Sequence, residues 1–98
     1  MSLSKEKILS TLNDNKKYLS DKFGVKSISL FGSYARDTQN ESSYIDLMVD
    51  FDSVSFDKIA GLQIYLERIF NKKVDILRKG SRIKKRKIEN IHKELINV

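Results

Sequence analysis

The residues with the clearest chemical potential lie in one stretch, "LFGSYARDTQNESSYIDLMVDF", residues 30–51. Gly32 and Ser33 follow a strand-like segment and stand where a short helix would begin. Backbone N–H groups at such a turn bind anions, and glycine lets a phosphate approach the backbone closely. Arg36, one helical turn later, would lie near the same anion. A Gly-Ser turn is also a common helix start without any ligand, so alone it indicates a phosphate site only weakly.

Two aspartates in strand-like segments form a second candidate group. Asp46 and Asp75 each stand between aliphatic residues, although strands disfavour aspartate. If the two strands are neighbours, both carboxylates lie on one face a few ångströms apart and can bind a divalent cation. Two aspartates that merely face solvent explain the same pattern equally well.

Periodic apolar residues predict the elements that position these groups. Residues 4–23 carry a helical stripe that Gly24 stops, and "VKSISLF" alternates as a strand that ends at Gly32. "SYARD" fits one or two helical turns, and "YIDLMVDF" alternates between an apolar face and a face with Asp46 and Asp50. Its apolar face comprises Ile45, Leu47, Val49 and Phe51.

The second half of the chain predicts helix, strand and helix. Ser55 is a suitable N-cap for a helix, and "KVDIL" is a short strand with Asp75 on its polar side. The helix stripe is Ile59, Leu62, Leu66 and Ile69. Residues 81–98 predict a last helix whose inward residues are Ile88, Ile91 and Leu95. This alternation predicts an α/β fold, a small sheet covered by helices, as one domain over residues 1–98.

Composition narrows the possible chemistry. The 98 residues include no cysteine and one histidine, which removes thiolate catalysis and the usual zinc sites. Any metal would be a hard cation that prefers oxygen ligands. No apolar run approaches the roughly 20 residues needed to span a bilayer, so we expect a cytoplasmic protein without membrane contact.

A basic segment stands apart from the otherwise balanced chain. The net charge is +6, and seven of the ten residues from Arg78 to Lys87 are Lys or Arg. A solvated helix face accounts for such a run, and an anion-binding surface for RNA or an acidic partner, centred on Arg82, Lys85 and Arg86, is the sharper alternative. No interleaved aromatic residues favour base stacking, which argues against sequence-specific recognition.

The combined pattern "GSYAR", "SYIDLMVDF" and "KKVDIL" resembles the minimal nucleotidyltransferase (MNT) family of the DNA polymerase beta superfamily. The resemblance implies a mixed sheet flanked by helices, with Gly32 and Ser33 holding the triphosphate of ATP or another nucleoside triphosphate. It also implies that Asp46 and Asp75 are catalytic ligands of Mg²⁺. Two such cations stabilise the attacking and leaving oxygens in nucleotidyl transfer.

The sequence departs from the family pattern at two positions. Tyr44 replaces the first aspartate of the Asp-x-Asp pair, and a neutral phenol is a poor ligand for a hard cation, so we expect weakened magnesium binding. Asp37 replaces a frequent glycine and adds negative charge beside the phosphate turn. Asp50 cannot replace the missing carboxylate, because four strand residues place it about 13 Å from Asp46. Glu41, in a loop, could reach the site only by swinging in.

Three functions therefore remain open from the sequence. One is Mg²⁺-dependent transfer of a nucleoside monophosphate to a hydroxyl of a protein partner, which the resemblance implies to be a helical HEPN protein. Another is a catalytically inactive antitoxin that binds and neutralises a HEPN toxin. The third is a basic nucleic-acid-binding protein. An exposed sheet edge also makes a homodimer conceivable.

Overall fold

The sheet in the computed structural model is mixed, as the sequence predicts. The structure describes residues 3–80 and 95–98. Its elements are α1 (Lys5–Asp14), α2 (Lys16–Phe23), β1 (Val25–Phe31), α3 (Ser33–Arg36), β2 (Ile45–Phe51), α4 (Phe56–Phe70), β3 (Val74–Arg78) and β4 (Ile96–Asn97). The strand order is β3-β2-β1-β4, in which β2 is parallel to β3 and antiparallel to β1, and β4 is antiparallel to β1.

The apolar face of β2 forms the centre of the core. Ile45, Leu47, Val49 and Phe51 are buried on this face, because successive strand side chains point to opposite faces of the sheet. Met48, on the opposite face, is also buried, although the sequence predicted it on the polar face. Helices cover this face, and no helix within the described ranges is long and apolar enough to cross a membrane. Among the described residues, the largest fully buried side chains are Ile8, Leu12, Leu19, Leu30, Ile45, Leu47, Val49, Leu62, Leu66 and Val74.

Helix α4 makes the crossover that two parallel strands require. It begins after Ser55, whose backbone is extended at φ −144° and ψ 127°, although the Ser55 side chain makes no capping hydrogen bond. The sequence prediction for Ile69 was wrong, since this residue is 37% exposed and Phe70 is buried instead. Phe70 continues the four-residue spacing of Leu62 and Leu66, which keeps all three on one helix face.

The first predicted helix is interrupted at Asn15. Helix α1 ends at Asp14, and α2 ends at Phe23. Gly24 caps α2 with a left-handed backbone (φ 68°), which confirms the predicted stop. Asn15 Nδ2 donates to the Thr11 carbonyl at 2.8 Å, and its Oδ1 accepts from the Tyr65 hydroxyl of α4 at 2.6 Å. A contact between distant parts of the chain therefore fixes the break.

The C-terminal prediction of a helix was wrong for the residues that can be compared. Ile96 and Asn97 form β4 on the free edge of β1, and Val98 N donates to the Ile28 carbonyl at 3.1 Å. The Ser29 hydroxyl also donates to Asn97 Oδ1 at 2.6 Å. The remainder of the predicted helix, including Ile88, Ile91, Arg82, Lys85 and Arg86, lies outside the described residues.

Candidate nucleotide site

Three strand ends meet at one end of the sheet and bring the predicted site residues together. Phe31, the last residue of β1, pairs with Asp46 near the start of β2. Asp46 pairs in turn with Asp75 near the start of β3. Neighbouring strands lie about 4.8 Å apart, so the two aspartates stand side by side. The predicted proximity of Asp46 and Asp75 therefore holds in the strand register.

Gly32 packs directly against Asp46. Its backbone, at φ 77° and ψ −156°, lies in a region that glycine alone adopts readily. A Cβ atom at this position would overlap the Asp46 Oδ2 atom. The turn thus needs glycine for its conformation and for the space that the Asp46 carboxylate fills. The half-buried Asp46 and the phosphate turn form one packed unit.

The single helical turn α3 is anchored in the core through Tyr34. The Tyr34 side chain is only 3% exposed, while the side chain of Arg36 lies at the surface. Arg36 N donates to the Gly32 carbonyl at 3.1 Å, and Thr38 N donates to the Ser33 carbonyl at 2.9 Å. These bonds close the turn around Ser33, whose backbone N–H stands at the first position of the helix. Packing therefore holds the turn in a fixed conformation.

Asp37 ends α3 in a left-handed conformation, with φ 59°. This backbone explains why glycine suits the position, because a side chain is strained there. The Asp37 carboxylate pairs with the Lys5 ammonium of α1 at 3.1 Å. Lys5 therefore offsets part of the negative charge that Asp37 adds beside the phosphate turn. No local sequence pattern indicates this pair, because 32 positions separate its members.

The carboxylates suit one hard cation better than two. Asp46 is half-buried, and Asp75 is exposed beside it. Within residues 3–80 and 95–98, no three Asp, Glu, His or Cys side chains cluster closely enough to hold a metal ion. Mg²⁺ is commonly bound by one or two carboxylates together with substrate phosphates, so this pair fits one ion. Tyr44 supplies no carboxylate at the position where the family pattern has one.

Neither Asp50 nor Glu41 completes the site. Asp50 pairs with Ser27 at the far end of β2. Glu41 lines a cavity of about 1030 Å³ with Tyr34 and Phe70, residues of the helical layer. Its carbonyl accepts a 2.8 Å hydrogen bond from Lys72, which ties this loop to the end of α4. Glu41 therefore belongs to a different surface from the Asp46–Asp75 pair.

Tyr44 stands immediately before β2, and its side chain is 53% exposed. The preceding turn is held by Asn40, whose Oδ1 accepts from Ser42 N at 2.9 Å and from the Ser42 hydroxyl at 2.7 Å. Asn40 N also donates to the Ser43 hydroxyl at 3.0 Å. The motif "NESS" is typical of such a turn, although its role in presenting Tyr44 is visible only in the structure.

A mixed sheet with a glycine-serine turn after its first strand and strand aspartates beside it defines a small nucleotidyltransferase-type domain. A family model described as "Nucleotidyltransferase domain" matches residues 12–98. The chain therefore belongs to the nucleotidyltransferase domain family, and the sequence resemblance is confirmed.

Individual relatives agree with this assignment. The protein adenylyltransferase MntA of Thermococcus cleftensis is 41% identical over 80 residues, which cover 81% of each chain. A Methanocaldococcus jannaschii protein with the provisional name of protein adenylyltransferase is 52% identical over 73 residues, covering 71% of this chain and 73% of its own.

Solved structures share the fold over nearly the whole chain. A provisionally described minimal nucleotidyltransferase superposes with a TM-score of 0.79 at 27% identity, covering 98% of this chain and 97% of its own. A toxin-antitoxin structure with AMP-PNP superposes with a TM-score of 0.68 at 24% identity, covering 97% of this chain and 72% of that chain. At 24% identity, the likeness to the toxin-antitoxin structure shows a shared fold and nothing more specific.

Proposed function

We propose that this protein binds Mg²⁺-ATP and transfers AMP to a hydroxyl group of a protein partner. The observation that carries the proposal is the register that places Asp46 beside both Asp75 and the Gly32 turn. The adenylyltransferase name of the MntA relative supports AMP as the transferred group and a protein as the acceptor. Such a reaction belongs in the cytoplasm, where ATP is available.

The proposed roles follow from the position of each group. Backbone N–H groups at Gly32 and Ser33 bind the triphosphate, and the Arg36 side chain adds positive charge near it. Asp46 and Asp75 are the residues that would hold magnesium. The bound ion would neutralise developing charge on the phosphate oxygens. Because Gly32 and Asp46 are in contact, the triphosphate and the carboxylates are held in a fixed relation to one another.

The proposed partner is a small helical toxin of the HEPN type. The shared fold of solved MntA-HpeT toxin-antitoxin structures supports a toxin as the partner, and the HEPN type rests on the sequence resemblance. Homodimer formation and RNA binding by the basic run from Arg78 to Lys87 stay predictions. Most of that run lies outside the described part of the chain.

A binding function without catalysis is the second candidate, and Tyr44 specifically favours it. With two carboxylates where two-metal catalysis uses three, the transfer step is slowed, while a surface that neutralises a toxin needs no metal. AMP transfer and toxin binding without catalysis differ in whether they require Asp46 and Asp75. Catalysis requires them, whereas simple binding of the toxin does not.

The test uses the protein expressed together with a helical HEPN-type protein as the candidate partner. Growth of the host measures neutralisation of that protein, and ATP labelled at its α-phosphorus measures AMP transfer to it. If Asp46→Ala and Asp75→Ala each abolish both transfer and neutralisation, the protein acts as an adenylyltransferase. If transfer is absent and neutralisation survives both substitutions, it acts by binding alone.

Asp50→Ala is the matched control, since Asp50 lies on the same strand at the far end from the proposed site. This variant is expected to retain transfer and neutralisation. A loss equal to that of Asp46→Ala would show that a general change in β2, rather than loss of a ligand, causes the effect.

A further inference from the structure

We propose that Tyr44 is itself an acceptor of AMP, so that the protein adenylylates its own Tyr44 hydroxyl. This inference rests on the proposed function, because it requires ATP bound at the Gly32 turn and the two aspartates. It adds an acceptor within the chain and a modification site at the one position where the catalytic pattern is broken.

The backbone places Tyr44 on the same side of the sheet as Asp46. Ile45, between them, is fully buried in the core, and Ile45 N donates to the Lys73 carbonyl at 3.0 Å. The β2–β3 pairing therefore extends to the residue next to Tyr44. Tyr44 precedes β2 by one residue. Two strand residues span about 6.6 Å, and when the alternation of β2 is continued to Tyr44, its side chain, like that of Asp46, is directed away from the core. The phenol consequently projects on the side that carries the Asp46 and Asp75 carboxylates.

The Tyr44 side chain is accessible and held at its base. It is 53% exposed. The Asn40 turn fixes the backbone just before it, through the contacts to Ser42 and Ser43. A hydroxyl on a fixed backbone next to a bound nucleotide has a high effective concentration, about 10⁵ M or more for well-aligned groups. A single slow transfer of AMP to Tyr44 in each chain is therefore feasible, even if the site is too impaired for efficient repeated transfer.

The reaction is a balanced substitution at the α-phosphorus of ATP. A bond forms between Tyr44 Oη and the α-phosphorus, and the bond from that phosphorus to the oxygen bridging to the β-phosphate breaks. Pyrophosphate leaves with the bond electrons, and the phenolic proton passes to solvent. The product carries AMP at the mouth of the site, where it would block entry of a second ATP. Self-modification would thus also limit transfer to other acceptors.

The experiment incubates the purified full chain with MgCl₂ and ATP labelled at the α- or the γ-phosphorus. Intact-mass and peptide mass spectrometry then locate any adduct. The expected result is at most one AMP per chain, on Tyr44, carrying the α label and not the γ label. Tyr44→Phe, which removes only the hydroxyl oxygen, and Asp75→Asn are each expected to reduce labelling at least tenfold.

Tyr18→Phe is the matched control, because Tyr18 is 44% exposed on α2, away from the strand ends. This variant is expected to label as the parent does. Labelling that persists in Tyr44→Phe, or that falls on Tyr18, would overturn the inference. The far-ultraviolet circular dichroism of each variant confirms that it is folded.

Calorimetry of Mg²⁺-ATP binding to the parent and to Tyr44→Asp separates this inference from the proposed function. If either protein binds Mg²⁺-ATP and the parent still gives no adduct, self-adenylylation is wrong and nucleotide binding stands. If neither binds, both the inference and the proposed function are overturned. Binding by the parent together with an adduct on Tyr44 supports both.

Discussion

Asp46 lies between two regions that differ in how they relate to the proposed chemistry. On the β1 side, Gly32 adopts a backbone that glycine favours and leaves space that the Asp46 carboxylate fills. On the other side, Tyr44 stands half-exposed where the family pattern has a carboxylate. The first region is constrained by packing and the second is not. A residue at the exposed end of a strand can therefore be replaced while the turn beside it stays intact.

The largest expected effect is a loss of stability when the packing between Gly32 and Asp46 is disrupted. Gly32→Ala places a methyl group against Asp46 and forces alanine into a positive φ, so the free energy of unfolding should fall by roughly 2–4 kcal/mol. Urea unfolding followed by circular dichroism measures the change. Gly80→Ala is the matched control, because Gly80 has φ 83° and no atom of residues 3–80 or 95–98 lies within 4 Å of the added Cβ. Its expected cost is about 1 kcal/mol, and equal costs at both positions would contradict the packing explanation.

The second-largest expected effect is on nucleotide affinity and concerns Tyr44. Tyr44→Asp restores a hard oxygen ligand beside Asp46, and we expect Mg²⁺-dependent ATP affinity to rise at least tenfold, which corresponds to about 1.4 kcal/mol. Calorimetry with and without magnesium measures this gain. Tyr18→Asp introduces the same charge change on α2 and should leave affinity unchanged. An equal gain in both variants would attribute the effect to net charge.

Removing the exposed carboxylate should affect binding without affecting stability. Asp75→Asn is expected to lower Mg²⁺-dependent ATP affinity about tenfold, while the free energy of unfolding changes by less than about 0.5 kcal/mol because the side chain is exposed. Calorimetry and urea unfolding measure the two quantities. Asp50→Asn, on the polar face of β2, serves as the control and should change neither. Unaltered affinity in Asp75→Asn would remove Asp75 from the site.

The smallest effect concerns the charge beside the phosphate turn. Asp37→Gly relieves a left-handed backbone and removes a negative charge, so ATP affinity should rise about threefold at low salt and less at high salt. Titrations at two ionic strengths test this. Asn71→Gly is the control, since Asn71 also has a positive φ (51°) but ends α4. A similar change in both variants would show that backbone relief, rather than charge, is responsible.

The ion pair between Asp37 and Lys5 contributes little to the stability of the fold. Both side chains are partly exposed, at 27% for Lys5 and 56% for Asp37. Pairs of this kind stabilise proteins by less than about 1 kcal/mol, so loss of the pair in Asp37→Gly should be offset by the more favourable glycine backbone. Nucleotide affinity is consequently a better measure of Asp37 than stability is.

The sequence by itself determined the elements whose pattern is local. The alternation in β2 identified its buried face, Gly24 identified the end of the N-terminal helical segment, and the Gly32-Ser33 turn identified the start of α3. Backbone dihedral angles repeat from residue to residue, so the period of apolar side chains reports the local conformation directly. The three-part motif, with its missing carboxylate at Tyr44, was also visible without any structure.

Only the tertiary structure decided which distant residues meet. The register that pairs Asp46 with Asp75, the helix break where Asn15 contacts Tyr65, and the pairing of β4 with β1 all join residues far apart in the sequence. Local periodicity carries no information about such partners, because each depends on how whole elements pack. For the same reason, the sequence placed Ile69 in the core, whereas the packing of α4 against the sheet buried Phe70.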